Sequence, residues 1–269
     1  MFFHQAHNSV GNDIYNAFYY RNIEWKSHLH KSYEITFVLE GEIEVTLGGK
    51  IFTVTSGQNV LVFPYQLHSY HTKTSSLVLT IVFSGSFVQT FDRIYADKEA
   101  LPCAFTLSND TLNFVKAGLF TATSGNEDST EIPRPPLFTV KACLYAVLSE
   151  FSCKVNLLDK KRNDVLIYDI ISYVEKHFQK DITLKSMASD LGYDYRYLSR
   201  VFNETMGVGF KTFVNQYRCD MVKSLISDTT LSLSEIALSS GFQSIRSFNR
   251  VFRQITGTSP SDLLKGEKL

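Results

Sequence analysis

Between residues 15 and 90, apolar and polar positions alternate in short runs broken by turn residues. That is the pattern of strands with one buried face. The clearest pair is Glu42–Leu47 and Lys50–Thr55 about Gly48-Gly49, where two glycines predict a tight hairpin turn. Ser56-Gly57 marks another turn ahead of the apolar run Val60–Phe63 and Pro64, and Leu77–Phe83 reads as a further buried strand. Many short strands at this spacing predict a small antiparallel barrel or sandwich.

From about residue 108 the period becomes helical. Asp110 is placed to cap a helix running to about Thr121, with Leu112, Val115 and Leu119 on one face. Ser124–Pro136 is polar and carries Pro and Gly, so it reads as a loop. A long helix follows from Leu137 to about Leu158 with a stripe of Val140, Leu144, Val147, Leu148, Phe151 and Val155. The stripe fits packing on the chain's own barrel, a dimer interface, or both. Lys160–Asn163 is a short charged linker, which divides the chain into domains at 1–160 and 161–269. Beyond it, Asp164–Gln179 carries Val165, Ile167, Ile170, Ile171, Val174 and Phe178 at helical spacing. The shorter helices that follow have expected caps at Thr183, Asp194 and Ser232 and expected turns at Gly192 and Gly241. Phe210–Ile226 reads as a long connector, and a last short helix has Pro260 at its start.

Length and apolar content fit a globular chain of about two domains. With 27 basic and 27 acidic residues the net charge is zero, which taken alone argues against a nucleic-acid binder. The distribution reverses that reading: Arg196–Arg253 holds eight Lys/Arg against four Asp/Glu, and a local basic patch sets the electrostatic footprint on DNA. The four cysteines (Cys103, Cys143, Cys153 and Cys219) lack metal or redox spacing. No secretory leader or membrane-length apolar run is visible. A cytoplasmic protein with reduced, mostly packed thiols is expected.

The most specific signal is a motif present twice, about fifty residues apart. Leu184 to Gly192-Tyr, Leu198-Ser-Arg-Val-Phe202 and Gly207 are echoed by Leu233 to Gly241-Phe, Phe248-Asn-Arg-Val-Phe252 and Gly257. Each copy reads as a short helix, a glycine turn and a second helix, the helix-turn-helix pattern. Leu184, Ala188, Leu198 and Phe202, and in the second copy Leu233, Ala237, Phe248 and Phe252, are the expected packing residues. The opposite faces of the second helices carry Arg196, Ser199, Arg200 and Asn203, and Arg246, Asn249, Arg250 and Arg253. Arg pairs bidentately with guanine and Asn with adenine, and the remainder suit phosphate. Three arginines within Arg246–Arg253 with no acidic neighbour favour DNA over a face built only for water.

Residues 164–265 resemble the DNA-binding domain of the AraC/XylS family of bacterial transcription regulators. The resemblance rests on Ile236-Ala237, Gly241-Phe242, Ser247-Phe248-Asn-Arg-Val-Phe252, Gly257 and Ser259-Pro260, with the weaker first copy. It implies that Arg196, Ser199, Arg200, Arg246, Asn249 and Arg250 lie toward bases or nearby phosphates. It also implies contact with RNA polymerase, while a homodimer is expected from the apolar stripe of the long helix. Val222 stands at a connector position that is often Ala in the family, and the larger side chain is expected to tilt the connector slightly.

In the N-terminal half, His28-Leu-His30, three residues, Glu34, six residues and Gly41 form the second strong pattern. At strand spacing His28, His30 and Glu34 share parity and face one side. Pro64-Tyr-Gln-Leu-His68 can add His68 from a neighbouring strand. This resembles the first motif of the cupin superfamily, with a poorer second motif in which Gln66 replaces the usual glycine. Three readings stand side by side. In the first, Trp25, His28, His30, Glu34, Tyr65 and His68 line a pocket for a sugar-like or other small polar effector. In the second, His28, His30, Glu34 and His68 bind a divalent metal. In the third, the histidines are hydrogen-bonded without a ligand.

The expected fold is α+β and multidomain: an N-terminal cupin-like β-barrel with flanking dimerisation helices, then an all-α domain with two helix-turn-helix units. The expected function is regulation of transcription at double-stranded promoter DNA under control of a small-molecule effector, with no catalytic residues and no required cofactor. The competing class is a metal-dependent cupin enzyme, an oxygenase or isomerase, with an accessory DNA-binding domain.

Overall fold

The computed structural model describes residues 3–4, 14–95, 97–100, 104–120, 129–160, 162–229 and 231–266 of the 269. Cys103, the expected helix end at Thr121 and the first part of the expected loop from Ser124 lie outside them. Two compact units emerge, one formed by Gly11–Lys161 and the other containing Arg162–Leu269. The strands are β1 (Phe3–His4), β2 (Tyr15–Arg21), β3 (Trp25–Leu29), β4 (Tyr33–Leu47), β5 (Lys50–Thr55), β6 (Gln58–Val62), β7 (His68–His71), β8 (Ser76–Phe83), β9 (Lys98–Ala100), β10 (Ala104–Thr106), β11 (Ser129–Glu131) and β12 (Leu157–Asp159). The helices of the first unit are α1 (Gln89–Tyr95), α2 (Asn109–Leu119) and α3 (Leu137–Lys154).

The barrel is organised by β4, whose 15 residues serve two sheets. Its first half pairs antiparallel with β6 and β8, and its second half with β5 and β7. The strand changes sheet at a register shift between Val38 and Glu40, as bulges permit. Gly41 completes the corner: its φ is +69°, and a Cβ there would lie 2.0 Å from the Ser75 carbonyl oxygen. The β4–β5 hairpin forms about Gly48 and Gly49, both at positive φ.

Directly paired residues share a face, so the register fixes what lines the interior. One sheet contributes the rows Leu47–His68–His28 and Val45–Tyr70–Trp25. The other contributes Val62–Glu34–Val82–Asn16 and Val60–Thr36–Thr80–Phe18. Helices cover the outer face of the second sheet. Phe151 of α3 meets Phe63, Phe91 and Phe105, and Phe37 of β4 meets Phe120.

Several local expectations need correction. The cap of α2 is Ser108, whose Oγ accepts from the Thr111 amide at 3.3 Å, and not Asp110. Within the expected loop, Ser129–Glu131 forms a strand on β2. α3 stops at Lys154, because Leu157–Asp159 pairs with β9. The stripe residues Val140, Leu144, Val147, Leu148 and Phe151 are buried in the barrel unit's own core, while Phe138, 83% exposed, Leu137 and Tyr145 remain outside it. Cys143 and Cys219 are buried, and burial pushes the Cys219 thiol up to about 12. Cys153 is exposed. No helix among the described residues is long and apolar enough to cross a membrane.

The second unit is helical: α4 (Arg162–His177), α5 (Leu184–Leu191), α6 (Tyr195–Met206), α7 (Phe210–Asp228), α8 (Leu233–Ser239), α9 (Ile245–Thr256) and α10 (Pro260–Gly266). In α4 Val165 is exposed and Leu166 is buried in its stead. Thr183 with Ser186, and Ser232 with Glu235, form capping boxes at α5 and α8, and Asp194 and Ser244 cap α6 and α9. Each second helix packs an aromatic core. Phe202 meets Phe210 and Phe213 in the first unit, and Phe242 and Phe252 flank Phe248 in the second. Val222 is fully buried among Cys219, Ile226 and the second unit's core.

Candidate functional site: two exposed cationic helix faces and a buried barrel cluster

On α9 the buried positions are Phe248, Val251 and Phe252. At 3.6 residues per turn, that places Arg246, Asn249, Arg250 and Arg253 on the opposite face, and all four are exposed. On α6 the buried Leu198, Val201 and Phe202 leave Arg196, Arg200 and Asn203 exposed and Ser199 half-buried. Among the described residues none of the five arginines has an ion-pair partner. The Arg200 guanidinium lies 5.8 Å from the Tyr197 ring centre, and Asn203 Nδ2 donates weakly to Ser199 Oγ at 3.4 Å. Asn249, Arg250, Arg253, Gln254, Ser259 and Ser261 line a surface cleft of about 620 Å³. Sequence reasoning missed Gln254, which lies on α9 itself, and Ser259 and Ser261, which the turn into α10 brings beside α9 only in three dimensions.

The two helix-turn-helix units are linked through the segment after α4. Arg218 of α7 donates from Nε to the Phe178 carbonyl at 2.8 Å and from Nη2 to the Lys180 carbonyl at 2.9 Å. Its guanidinium lies 5.9 Å from the Phe242 ring centre. Gln179 Nε2 donates to the Ser239 carbonyl at 2.8 Å. Gly241, φ +83°, sits so close that a Cβ would fall 2.6 Å from Gln179 Cα. The segment after α4 thus grips the turn of the second unit.

In the barrel, His28, His30, Glu34 and His68 are all at most 3% exposed. They do converge, but not through parity along one strand. His28 lies in β3, His30 just after it, Glu34 on β4 beyond a turn, and His68 on β7. One donor atom from each lies within 4.8 Å of every other. The Nδ1 atoms of His28, His30 and His68 lie 2.8, 2.9 and 2.8 Å from the carbonyls of Lys26, Ser32 and Gln66. A carbonyl only accepts, so each Nδ1 carries a proton. Burial, reinforced by neighbouring His68, pushes His28 down to about 2, which keeps its ring neutral. Burial alone would raise the Glu34 carboxyl. His30, at 3.0 Å, and His68, at 3.7 Å, outweigh it and hold the group well below its ordinary value. The longer contact exceeds hydrogen-bond range, so the pull of His68 is electrostatic. Glu34 Oε1 and His68 Nε2 have no hydrogen-bond partner among the described residues although both are buried.

Such a donor set, three imidazole nitrogens and a carboxylate with each ring oriented by a backbone carbonyl, fits a divalent transition metal. Trp25 is half-buried with its ring centre 5.8 Å from that of His28 and 6.2 Å from that of Tyr20. Tyr65 stands at positive φ in the turn after β6, and its amide donates to the His30 carbonyl at 2.8 Å. Thr36, Tyr70 and Thr80, linked by contacts of 3.0 and 3.4 Å, and Tyr20, whose hydroxyl burial and then Glu34 push up to about 12, were not singled out from the sequence. Strand register alone reveals that they face the cluster.

Residues 187–266 match the helix-turn-helix domain family and residues 23–83 the cupin domain family. An HTH-type transcriptional regulator of Staphylococcus aureus (strain COL) is 24% identical over 230 residues, which is 84% of this chain and 30% of that protein. The HTH-type transcriptional regulator YtdP of Bacillus subtilis (strain 168) is 31% identical over 94 residues, 35% of this chain and 12% of that protein. The chain therefore spans less than a third of the length of these relatives. Among solved structures, apo ToxT from Vibrio cholerae strain SCE256 is similar with a TM-score of 0.58 at 16% identity, over 96% of this chain and 98% of that one. Unsaturated fatty acid-bound ToxT of the same strain gives 0.56 at 16% identity, over 94% of each. At such identity the likeness is one of fold. The matches thus place a cupin domain ahead of an AraC-type helix-turn-helix domain in this chain.

Proposed function

We propose that the chain is a sequence-specific, DNA-binding transcription regulator, not an enzyme, and that its barrel is the input domain for a small effector. The observation that carries the reading is the duplicated cationic face. Arg196, Ser199, Arg200 and Asn203 on α6, and Arg246, Asn249, Arg250 and Arg253 on α9, project from helices whose other face is sealed into an aromatic core. Two such helices in one domain suit two successive major grooves. The partners are double-stranded promoter DNA, a second copy of the chain and RNA polymerase, in the bacterial cytoplasm at the nucleoid. Phe138, 83% exposed beside Tyr145 on α3, supports the dimer.

The barrel's effector residues are Trp25, His28, His30, Glu34, Tyr65 and His68. The inner face around them mixes polar Thr36 and Thr80 with apolar Val45, Leu47, Val60 and Val62. Selection of the purified protein on random double-stranded DNA tests the regulator reading. Enrichment of two blocks about one helical turn apart supports it. No enrichment, with and without added effector candidates, refutes it.

A further inference from the structure

Both second helices open on an exposed apolar side chain. Tyr195 is the first residue of α6 and Ile245 the first of α9, and they are 48% and 40% exposed. The two positions are equivalent. Each follows the cap, Asp194 or Ser244, whose side chain accepts from the amide three residues on at 2.9 or 3.2 Å. Each precedes an exposed arginine, Arg196 or Arg246. A single exposed apolar residue needs no explanation. Leu238 on α8 is such a case, because exposed Ser189 stands at its place in the first copy. Tyr195 and Ile245 differ: both copies hold a large apolar group at the same place. That place is the helix end that reaches base edges when a helix-turn-helix docks. Helical spacing sets Ile245 one turn from Asn249 and Tyr195 one turn from Ser199. Both apolar groups therefore continue the exposed face that carries the arginines.

We propose that Tyr195 and Ile245 are specificity-determining residues that read the 5-methyl groups of two thymines, one in each block of the DNA site. The inference rests on the regulator reading above and adds a base to it. Arginine and asparagine select guanine and adenine by hydrogen bonds. Thymine alone among the bases presents a methyl group in the major groove, and an apolar side chain recognises it by contact. Ile245 offers a branched aliphatic surface for that contact and Tyr195 the face of a ring. Four residues of helix rise about 6 Å and one base pair about 3.4 Å. The thymine read by Ile245 therefore stands within about two base pairs of the base that faces Asn249. Burial of one methyl corresponds to roughly a fourfold change in affinity.

The test removes the methyl and nothing else. Full-length protein is titrated against its selected DNA site with each thymine exchanged singly for deoxyuridine, which lacks only that group. The expected result is about fourfold weaker binding at one thymine in each block. Ile245→Ser should weaken binding to the unmodified site by a similar factor and make it indifferent to the methyl in its own block, with the other block's response intact. Tyr195→Ser should do the converse. Ile245→Val keeps a branched apolar contact and should keep the methyl response. At each sensitive position 5-methylcytosine should bind more tightly than cytosine. Thermal midpoints of all three variants should match that of the wild type, since both side chains are exposed. Deoxyuridine without effect at every thymine overturns the proposal. A methyl response that survives both serine variants overturns it too, and the exposed pair would then serve a protein partner instead of a base. Failure of the selection to yield any site overturns the regulator reading and this inference with it, whereas a selected site indifferent to the methyl overturns this inference alone.

Discussion

Replacement of Arg218 by Met tests whether the two reading helices act as one body. The substitution keeps most of the apolar stem and removes both hydrogen bonds to the segment after α4. Bonds from a charged donor contribute about 1.5–3 kcal/mol each. The bond to the Phe178 carbonyl is partly buried, while that to Lys180 is exposed, and water replaces most of the second. The expected loss is therefore about 2 kcal/mol, near a 30-fold change in an equilibrium constant. It falls on the contact that presses the Gly241–Phe242 turn against Phe178 and Gln179. The assay measures affinity for a two-block DNA site with zero, one or two base pairs inserted between blocks. Each insertion rotates the second block by about 35°. Wild type should lose binding steeply with insertion. Arg218→Met should bind the native spacing more weakly yet respond to insertion less. Loss of stability with an unchanged spacing profile would show that Arg218 serves folding alone, and the coupling argument would fail.

Other consequences are more local. Gly41→Ala places a Cβ 2.0 Å from the Ser75 oxygen and should abolish a soluble, folded barrel, whereas Gly49→Ala, also at positive φ but with nothing within 4 Å, should lower stability by only about 1 kcal/mol; circular dichroism melts of the pair separate clash from backbone strain. Arg250→Ala should relax preference at one base position if it reads a base; uniform weakening across sequences with a shallower salt slope would mark a phosphate contact instead, and Arg200→Ala is read the same way. Ser232→Ala removes the α8 cap and should cost roughly 1 kcal/mol, visible as a lower urea midpoint; an unchanged midpoint would mean that Glu235 alone holds the helix start. Phe138→Lys should shift sedimentation toward monomer, and an unchanged mass would remove α3 from the dimer interface.

Much of this protein is written locally. Caps at Thr183, Asp194 and Ser232, turns at Gly192 and Gly241, and the 3.6-residue spacing of Phe248 and Phe252 against Arg246, Asn249, Arg250 and Arg253 are short-range relations. They determine the helix-turn-helix units and their cationic faces before any packing is known. The Gly48-Gly49 hairpin is equally local. Relations between distant segments are another matter. Ser129–Glu131 looks like loop and becomes strand because β2 offers it backbone partners. Leu157–Asp159 leaves the helical pattern because β9 does the same. His28, His30, Glu34 and His68 can be named from spacing. Their burial, their fixed tautomers and the two facing rows that hold Thr36 with Thr80 and Tyr70 with Trp25 arise only when β4 bends at Gly41 and brings two sheets together. Where helices start, stop and turn their charge is legible along the chain, since those are energies between near neighbours. Which polar groups lose water together emerges only from the folded barrel, since desolvation depends on everything that surrounds a group and not on its place in the chain.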